Sequence, residues 1–286
     1  MGEVFNGDPE YVAGYQGPLD ATLNYPMYFK LKNAFQEKQT MRNVHDGVTQ
    51  NSVFPDVSVL GNFLDNHDHP RFLSQNGDTV VLKSALAYIV FAEGIPIIYY
   101  GTEQAFKGTT DPNDRQSLWP YYNTNSDLYQ YIAVINKFRT EQGEAVYGQE
   151  QVERYVDDQF FGFTRGMVFV ATTNIGSGQG LSRSITYHPY SDGTKLVNVL
   201  DSSDTVTVNG GAFTVTIEGG MPKIYHPVTS ELTEEREREG GGGLDHGEIG
   251  LVVSAGLVAT LVILLSGVVV YMVSYRVRRG RSYSEL

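Results

Sequence analysis

Apolar runs that end abruptly in polar clusters set the rhythm of the first half of this chain. Residues 57–64 alternate and then run apolar before breaking into Asp65, Asn66, His67 and Asp68, the pattern of a buried strand whose carboxyl end opens on solvent. Residues 80–92 are apolar almost throughout, which predicts a long buried helix. Residues 95–100 predict the next strand, and 128–139 an amphipathic helix. Upstream, residues 23–25 predict a short strand end, followed by helical spacing of Leu31, Ala34 and Phe35. Strands alternating with helices predict β/α units over residues 1–142. A long polar loop, 107–125, interrupts them, the kind that carries substrate contacts.

After Gly143 the helical period stops. Short alternating segments at 159–165, 167–174, 195–200 and 205–217 take over, punctuated by Arg165-Gly166 and by Asn209-Gly-Gly211, and predict a small antiparallel β-sandwich over 143–227. Residues 228–248 are charged and end in glycines, which reads as a tether. Residues 249–275 carry no charge and exceed the ~20 residues that cross a bilayer, so they predict a transmembrane helix. Arginines follow directly in 276–286, while the preceding flank is acidic. The expected arrangement is a single-pass protein with the body extracellular or lumenal and the carboxyl terminus cytoplasmic.

Composition narrows the chemistry. A chain of 286 residues with formal charge −12 lacks the basic surface that phosphates demand, so nucleic acid is not an expected partner. The absence of cysteine excludes thiolate catalysis and thiolate zinc sites. The 19 tyrosines and 14 phenylalanines suit both a core and stacking on sugar rings.

The segment Asp65-Asn-His-Asp68 is by itself compatible with a polar turn. Two further passages change its meaning: Gly2-Glu-Val-Phe-Asn-Gly-Asp8, and Gly94-Ile-Pro-Ile-Ile-Tyr-Tyr-Gly-Thr-Glu103. In this order the three resemble the α-amylase family of glycoside hydrolases, most closely its secreted fungal type, and the resemblance runs over roughly residues 2–227. It implies the second half of a (β/α)8 TIM barrel followed by the β-sandwich. It also implies that Glu3 is the general acid and Asp68 the third catalytic carboxylate. Asp65 is an alternative to Asp68, which the resemblance favours because it follows His67.

The same resemblance implies that His67, Asp111 and Arg115 hold the sugar, with Phe5 and Asn6 on the acceptor side. No residue matches the family's nucleophile, and the calcium ligands expected in relatives match nothing in this chain, so no metal ligand is named. The implied substrate is an α-1,4-glucan, and the implied chain is an incomplete, membrane-anchored α-amylase. A non-catalytic glycan- or partner-binding protein and a related α-glucosidase are the alternatives. His45, His188 and His226 read as structural.

Overall fold

The computed structural model describes residues 1–228. Helices run over Pro9–Ala13 (α1), Gln16–Leu19 (α2), Tyr25–Leu31 (α3), Arg42–Gln50 (α4), Phe72–Gln75 (α5), Thr79–Phe91 (α6), Asp127–Gln142 (α7) and Glu144–Tyr147 (α8). Strands are Gly61–Asn62 (β1), Ile95–Pro96 (β2), Gln151–Val156 (β3), Phe160–Arg165 (β4), Val168–Thr173 (β5), Leu181–Ile185 (β6), Lys195–Asn198 (β7), Asp201–Thr207 (β8), Phe213–Ile217 (β9) and Lys223–Pro227 (β10).

Four extended segments lie side by side in chain order, all parallel. Gly2 bridges Thr22, Leu23 bridges Gly61, and β1 pairs with β2 through Gly61 with Ile95 and Asn62 with Pro96. Parallel neighbours need a crossover each time, and α1–α2, α3–α4 and α5–α6 supply it. Because every segment points the same way, the residues following Gly2, Leu23, Asn62 and Pro96 emerge at one end.

The pairing is shorter than the apolar runs suggested. Residues 57–59 form a 3-10 turn, because Asp56 accepts from the Ser58 backbone N–H at 2.9 Å and from its hydroxyl at 2.6 Å. After β2 the chain leaves the sheet at Ile97, whose N–H donates to Asn62 at 2.8 Å, and turns at Gly101. Gly94 (φ +111°) permits this approach, since a Cβ there would lie 2.5 Å from the Leu60 carbonyl.

Helix α6 is the hub. Its residues Val81–Phe91 are buried almost without exception, as its uninterrupted apolar sequence requires. Asp78 caps it by accepting from Val80 N–H at 2.9 Å. It packs on Met27, Leu31 and Phe35 of the α3 region, on Ile135 and Phe138 of α7, and on Phe161, Phe163 and Val170 of the sheet. Lys83 pairs with Asp127 at 2.7 Å, tying α6 to the first turn of α7. Helix α3 runs on into a π-helical turn over Lys32–Gln36, where the spacing of Ala34 and Phe35 predicted ordinary helix.

The six-stranded sheet has the order β3-β4-β5-β10-β7-β8, antiparallel throughout, and β6 pairs with β9. Alternation sorts its two faces: Phe161, Phe163 and Val170 meet α6, while Phe160, Phe169 and Ala171 join Ile185, Phe213, Val215 and Ile217 of the β6–β9 pair. Strands β3, β6 and β10 were not anticipated; β3 is half-buried along its length and mixes charge with apolar residues. Gly210 and Gly211, both at positive φ, close the turn into β9. The tether beyond residue 228, the transmembrane helix expected at 249–275 and the basic tail lie outside the described residues. Among the described residues, no helix is long and apolar enough to cross a membrane.

Candidate active site

Glu3 leaves the first parallel segment directly after Gly2, whose N–H donates to Ala21 O at 2.7 Å and whose carbonyl accepts from Leu23 N–H at 3.0 Å. The next segment delivers Tyr25 into the first turn of α3, which Asn24 caps by accepting from Met27 N–H at 3.1 Å. These two register facts bring the Tyr25 hydroxyl to Glu3 Oε1, donating at 2.5 Å. The same hydroxyl accepts from Asn66 Nδ2 at 3.0 Å, and Asn66 Oδ1 accepts from Asp68 N–H at 3.0 Å. A continuous hydrogen-bonded run therefore joins Glu3 to Asp68. Burial, reinforced by the bond to Glu3, raises the Tyr25 phenol above its ordinary range, so it remains a donor at any working pH.

Asp68 is held from its other side by Arg115, whose Nη2 donates to Oδ1 at 2.9 Å. Arg115 Nε donates to the His67 carbonyl at 2.9 Å and lies 3.8 Å from Asp111 Oδ1. His67 Nε2 is 3.4 Å from Asp68 Oδ2. Asp68 and Arg115 are close to half exposed, so the pair acts by orientation more than by strong Coulomb attraction.

Phe5 is 64% exposed, yet its ring is fixed edge-on to Tyr25 at 5.0 Å and rests 5.2 Å from His69. His69 stacks on Tyr28 at 5.1 Å. Its burial disfavours the imidazolium and lowers its pKa, while Asp68 and Glu3 oppose that shift, which puts both carboxylates within electrostatic reach of one ring. Asn6 turns its oxygen to Asp8 N–H at 2.8 Å and so shapes the loop after Glu3.

Asp65 belongs to the frame. It is 4% exposed, accepts from Phe72 N–H at 2.9 Å, and burial raises its pKa. Arg71 is fully buried, donating to Asp114 O at 2.9 Å and Tyr100 O at 2.5 Å with its guanidinium 3.8 Å over the Tyr99 ring. That anchors the loop bearing Arg115 beneath Asp68. Tyr25, Asn66, His69 and Arg71 had no role in the sequence reading, although each lies within or beside a motif it quoted. Their partners are tens of residues away, so local pattern carries no signal of the pairing.

His45 contacts Glu153 Oε2 at 2.8 Å, His188 lies 3.1 Å from Gly211 O, and His226 leans on Phe138 at 5.0 Å, all away from this site. Among the described residues, no three His, Asp or Glu side chains are grouped as a metal site requires. These residues thus offer no carboxylate cage for the calcium that the resemblance implies.

Residues 1–160 match the family described as "Alpha amylase, catalytic domain". The chain is 39% identical over 238 residues to the Beta/alpha-amylase of Paenibacillus polymyxa, covering 79% of this chain and 19% of that protein. It is 32% identical to Alpha-amylase 1 of Schwanniomyces occidentalis, over 79% of this chain and 46% of the other. The solved structure of an alpha-amylase from Malbranchea cinnamomea superposes with a TM-score of 0.76 at 33% identity, covering 79% of this chain and 50% of that one. The chain thus spans about half the length, or less, of the relatives it matches.

Proposed function

Because this chain belongs to the alpha-amylase family, we propose that it carries the acid side of a retaining active site that cleaves α-1,4-glucosidic bonds of starch or glycogen. The reading rests on one observation above the others, the hydrogen-bonded run from Glu3 through Tyr25 and Asn66 to Asp68. Glu3 protonates the departing glycosidic oxygen. Asp68, aligned by Arg115 and His67, holds sugar hydroxyls and stabilises the positive charge that builds on the ring as the bond breaks. Phe5 offers an exposed ring to the acceptor sugar, with Asn6 shaping its loop, and Asp111 lies beside Arg115 on the donor side.

Retention requires a nucleophilic carboxylate about 5–5.5 Å from the acid. No residue of this sequence matches it, and we assign it to chain outside these 286 residues, along with the remaining strands of an eight-stranded barrel of which the four parallel segments are one half. The calcium of relatives would belong to that other half as well. Residues 249–275 are proposed to anchor the body on the outer or lumenal side of a membrane, with the arginine-rich end in the cytoplasm. Protease protection of a carboxyl-terminal epitope in sealed vesicles tests that orientation.

The catalytic reading is tested with maltoheptaose. Residues 1–248 alone should not hydrolyse it, whereas the protein read together with its upstream coding sequence should cleave it internally, with retention. Glu3→Gln should then cost roughly 10²–10⁴-fold in rate. Turnover indifferent to both Glu3→Gln and Asp68→Asn would refute the assignment, and stepwise release of glucose would point to an α-glucosidase.

A further inference from the structure

Arg71 is fully buried by the described residues themselves, so further chain cannot alter its surroundings from outside. A guanidinium keeps its charge at any working pH, and burying that charge is costly. Two buried carboxylates neighbour it. Burial raises the Asp65 pKa, and the positive charge of Arg71 works against that rise. Asp114, 2% exposed, lies on the other side, where its main-chain carbonyl accepts from Arg71 Nε at 2.9 Å. Burial raises the Tyr99 phenol to about 12, with Arg71 opposing the rise and Asp114 adding to it, so both charges act on one ring. Arg71 is the shared cation of this cluster.

Its hydrogen bonds nevertheless avoid both carboxylates. Nε takes the Asp114 carbonyl, Nη1 takes the Tyr100 carbonyl at 2.5 Å, and the Arg71 backbone N–H takes Gly108 O at 2.9 Å. Arg71 Nη2 and Asp114 Oδ1 are buried and have no hydrogen-bond partner among the described residues. Such orphaned groups are unfavourable, and stability alone would favour closing one onto the other. What the observed bonds secure instead is backbone. A main-chain carbonyl cannot swing away about a side-chain torsion, so the loop is fixed as chain at residues 100, 108 and 114. Gly108 allows the fit, since a Cβ there would lie 1.9 Å from Asn113 O. Asp114 immediately precedes Arg115, and Arg71 follows Asp68 by three residues. One side chain therefore holds both ends of the 2.9 Å contact between Arg115 and Asp68.

We propose that Arg71 is a positioning residue for hydrolysis, which touches no sugar and acts by fixing the loop so that Arg115 aligns Asp68. The catalytic consequence rests on the function proposed above; the fixing of the loop rests on Arg71 alone.

A double-mutant cycle in the protein read together with its upstream coding sequence tests this. Arg71→Met keeps the bulk of the side chain without its charge or its fork, and should lower kcat/KM on maltoheptaose about tenfold. Introduced into Arg115→Lys, it should cost no more than about twofold further, because the contact it serves is already lost. Independent effects would multiply to about a hundredfold instead. Hydrogen exchange read by mass spectrometry should quicken over residues 100–115 in Arg71→Met while α6 stays as protected as in the parent. Arg71→Lys retains the cation but cannot reach two carbonyls at once, so it should show the same cycle and carries the test if the methionine variant does not fold. Losses that multiply, or loop exchange that does not change, overturn the positioning role and leave the hydrolytic reading intact. A parent that hydrolyses no glucan overturns the hydrolytic reading, and faster exchange confined to the loop would still uphold Arg71 as the residue that holds Arg115.

Discussion

The Tyr25 hydroxyl donates to Glu3 at 2.5 Å, so the residue proposed as the acid is tied to a buried aromatic side chain on the neighbouring segment rather than left loose near the start of the chain. Tyr25 simultaneously accepts from Asn66, and through it the position of Glu3 is coupled to that of Asp68.

In the protein read together with its upstream coding sequence, in which the rates below are measured, Tyr25→Phe should therefore impair catalysis without unfolding the protein. The ring contacts with Phe5, Tyr28 and Phe63 survive the substitution, while the hydrogen bond that positions Glu3 is lost. Such a bond contributes ~0.5–1.5 kcal/mol, which corresponds to about 2–10-fold in kcat/KM on maltoheptaose. A melting temperature close to that of the parent, measured together with the rate, separates this from a folding defect.

Arg115→Lys should also uncouple activity from stability. The guanidinium reaches Asp68 Oδ1 and the His67 carbonyl at once, a fork that a lysine ammonium cannot reproduce. With both partners close to half exposed, the stability change should stay below ~1 kcal/mol. The rate should fall tenfold or more. Denaturant titration beside steady-state kinetics checks the split.

Asp65 should leave a signature in the pH dependence of stability. Burial raises its folded-state pKa above 3.8, so its contribution is fully present below that value and is lost as pH rises through the folded-state pKa. Asp65→Asn keeps an acceptor for Phe72 N–H and should remove this decline. Asp65→Ala should remove the decline as well but lie about 1–3 kcal/mol below Asp65→Asn at every pH, because the Phe72 amide is left buried without a partner. Urea unfolding at a series of pH values distinguishes the three.

His69 should act with the opposite sign. Its folded-state pKa is lowered from 6.5 by burial, so its contribution is present above 6.5 and is lost as pH falls through the folded-state value. His226, lowered for the same reason, adds to the acid-side loss. His69→Phe retains an aromatic ring on Tyr28 and should flatten part of that slope in the same unfolding series.

Local pattern alone determined a good deal of this protein. The uninterrupted apolar run behind α6 could only be a buried helix, the glycines at 210 and 211 could only be a turn, and three motifs in order identified the family resemblance before any coordinate. Periodicity and composition report what each residue needs nearby, which is enough for helices, turns and burial. The tertiary structure decided which atoms meet. It shortened the strands at 57–64 and 95–100, because pairing lasts only where a neighbour runs alongside, and it separated Asp65 from Asp68 by burying one and exposing the other. It also placed Tyr25 on Glu3 and Arg71 beneath the loop that carries Arg115. Those partners lie 22 and 43 residues apart in the chain. Their hydrogen bonds depend on the register of parallel segments and on loop closure, and neither leaves a trace in a short window of sequence.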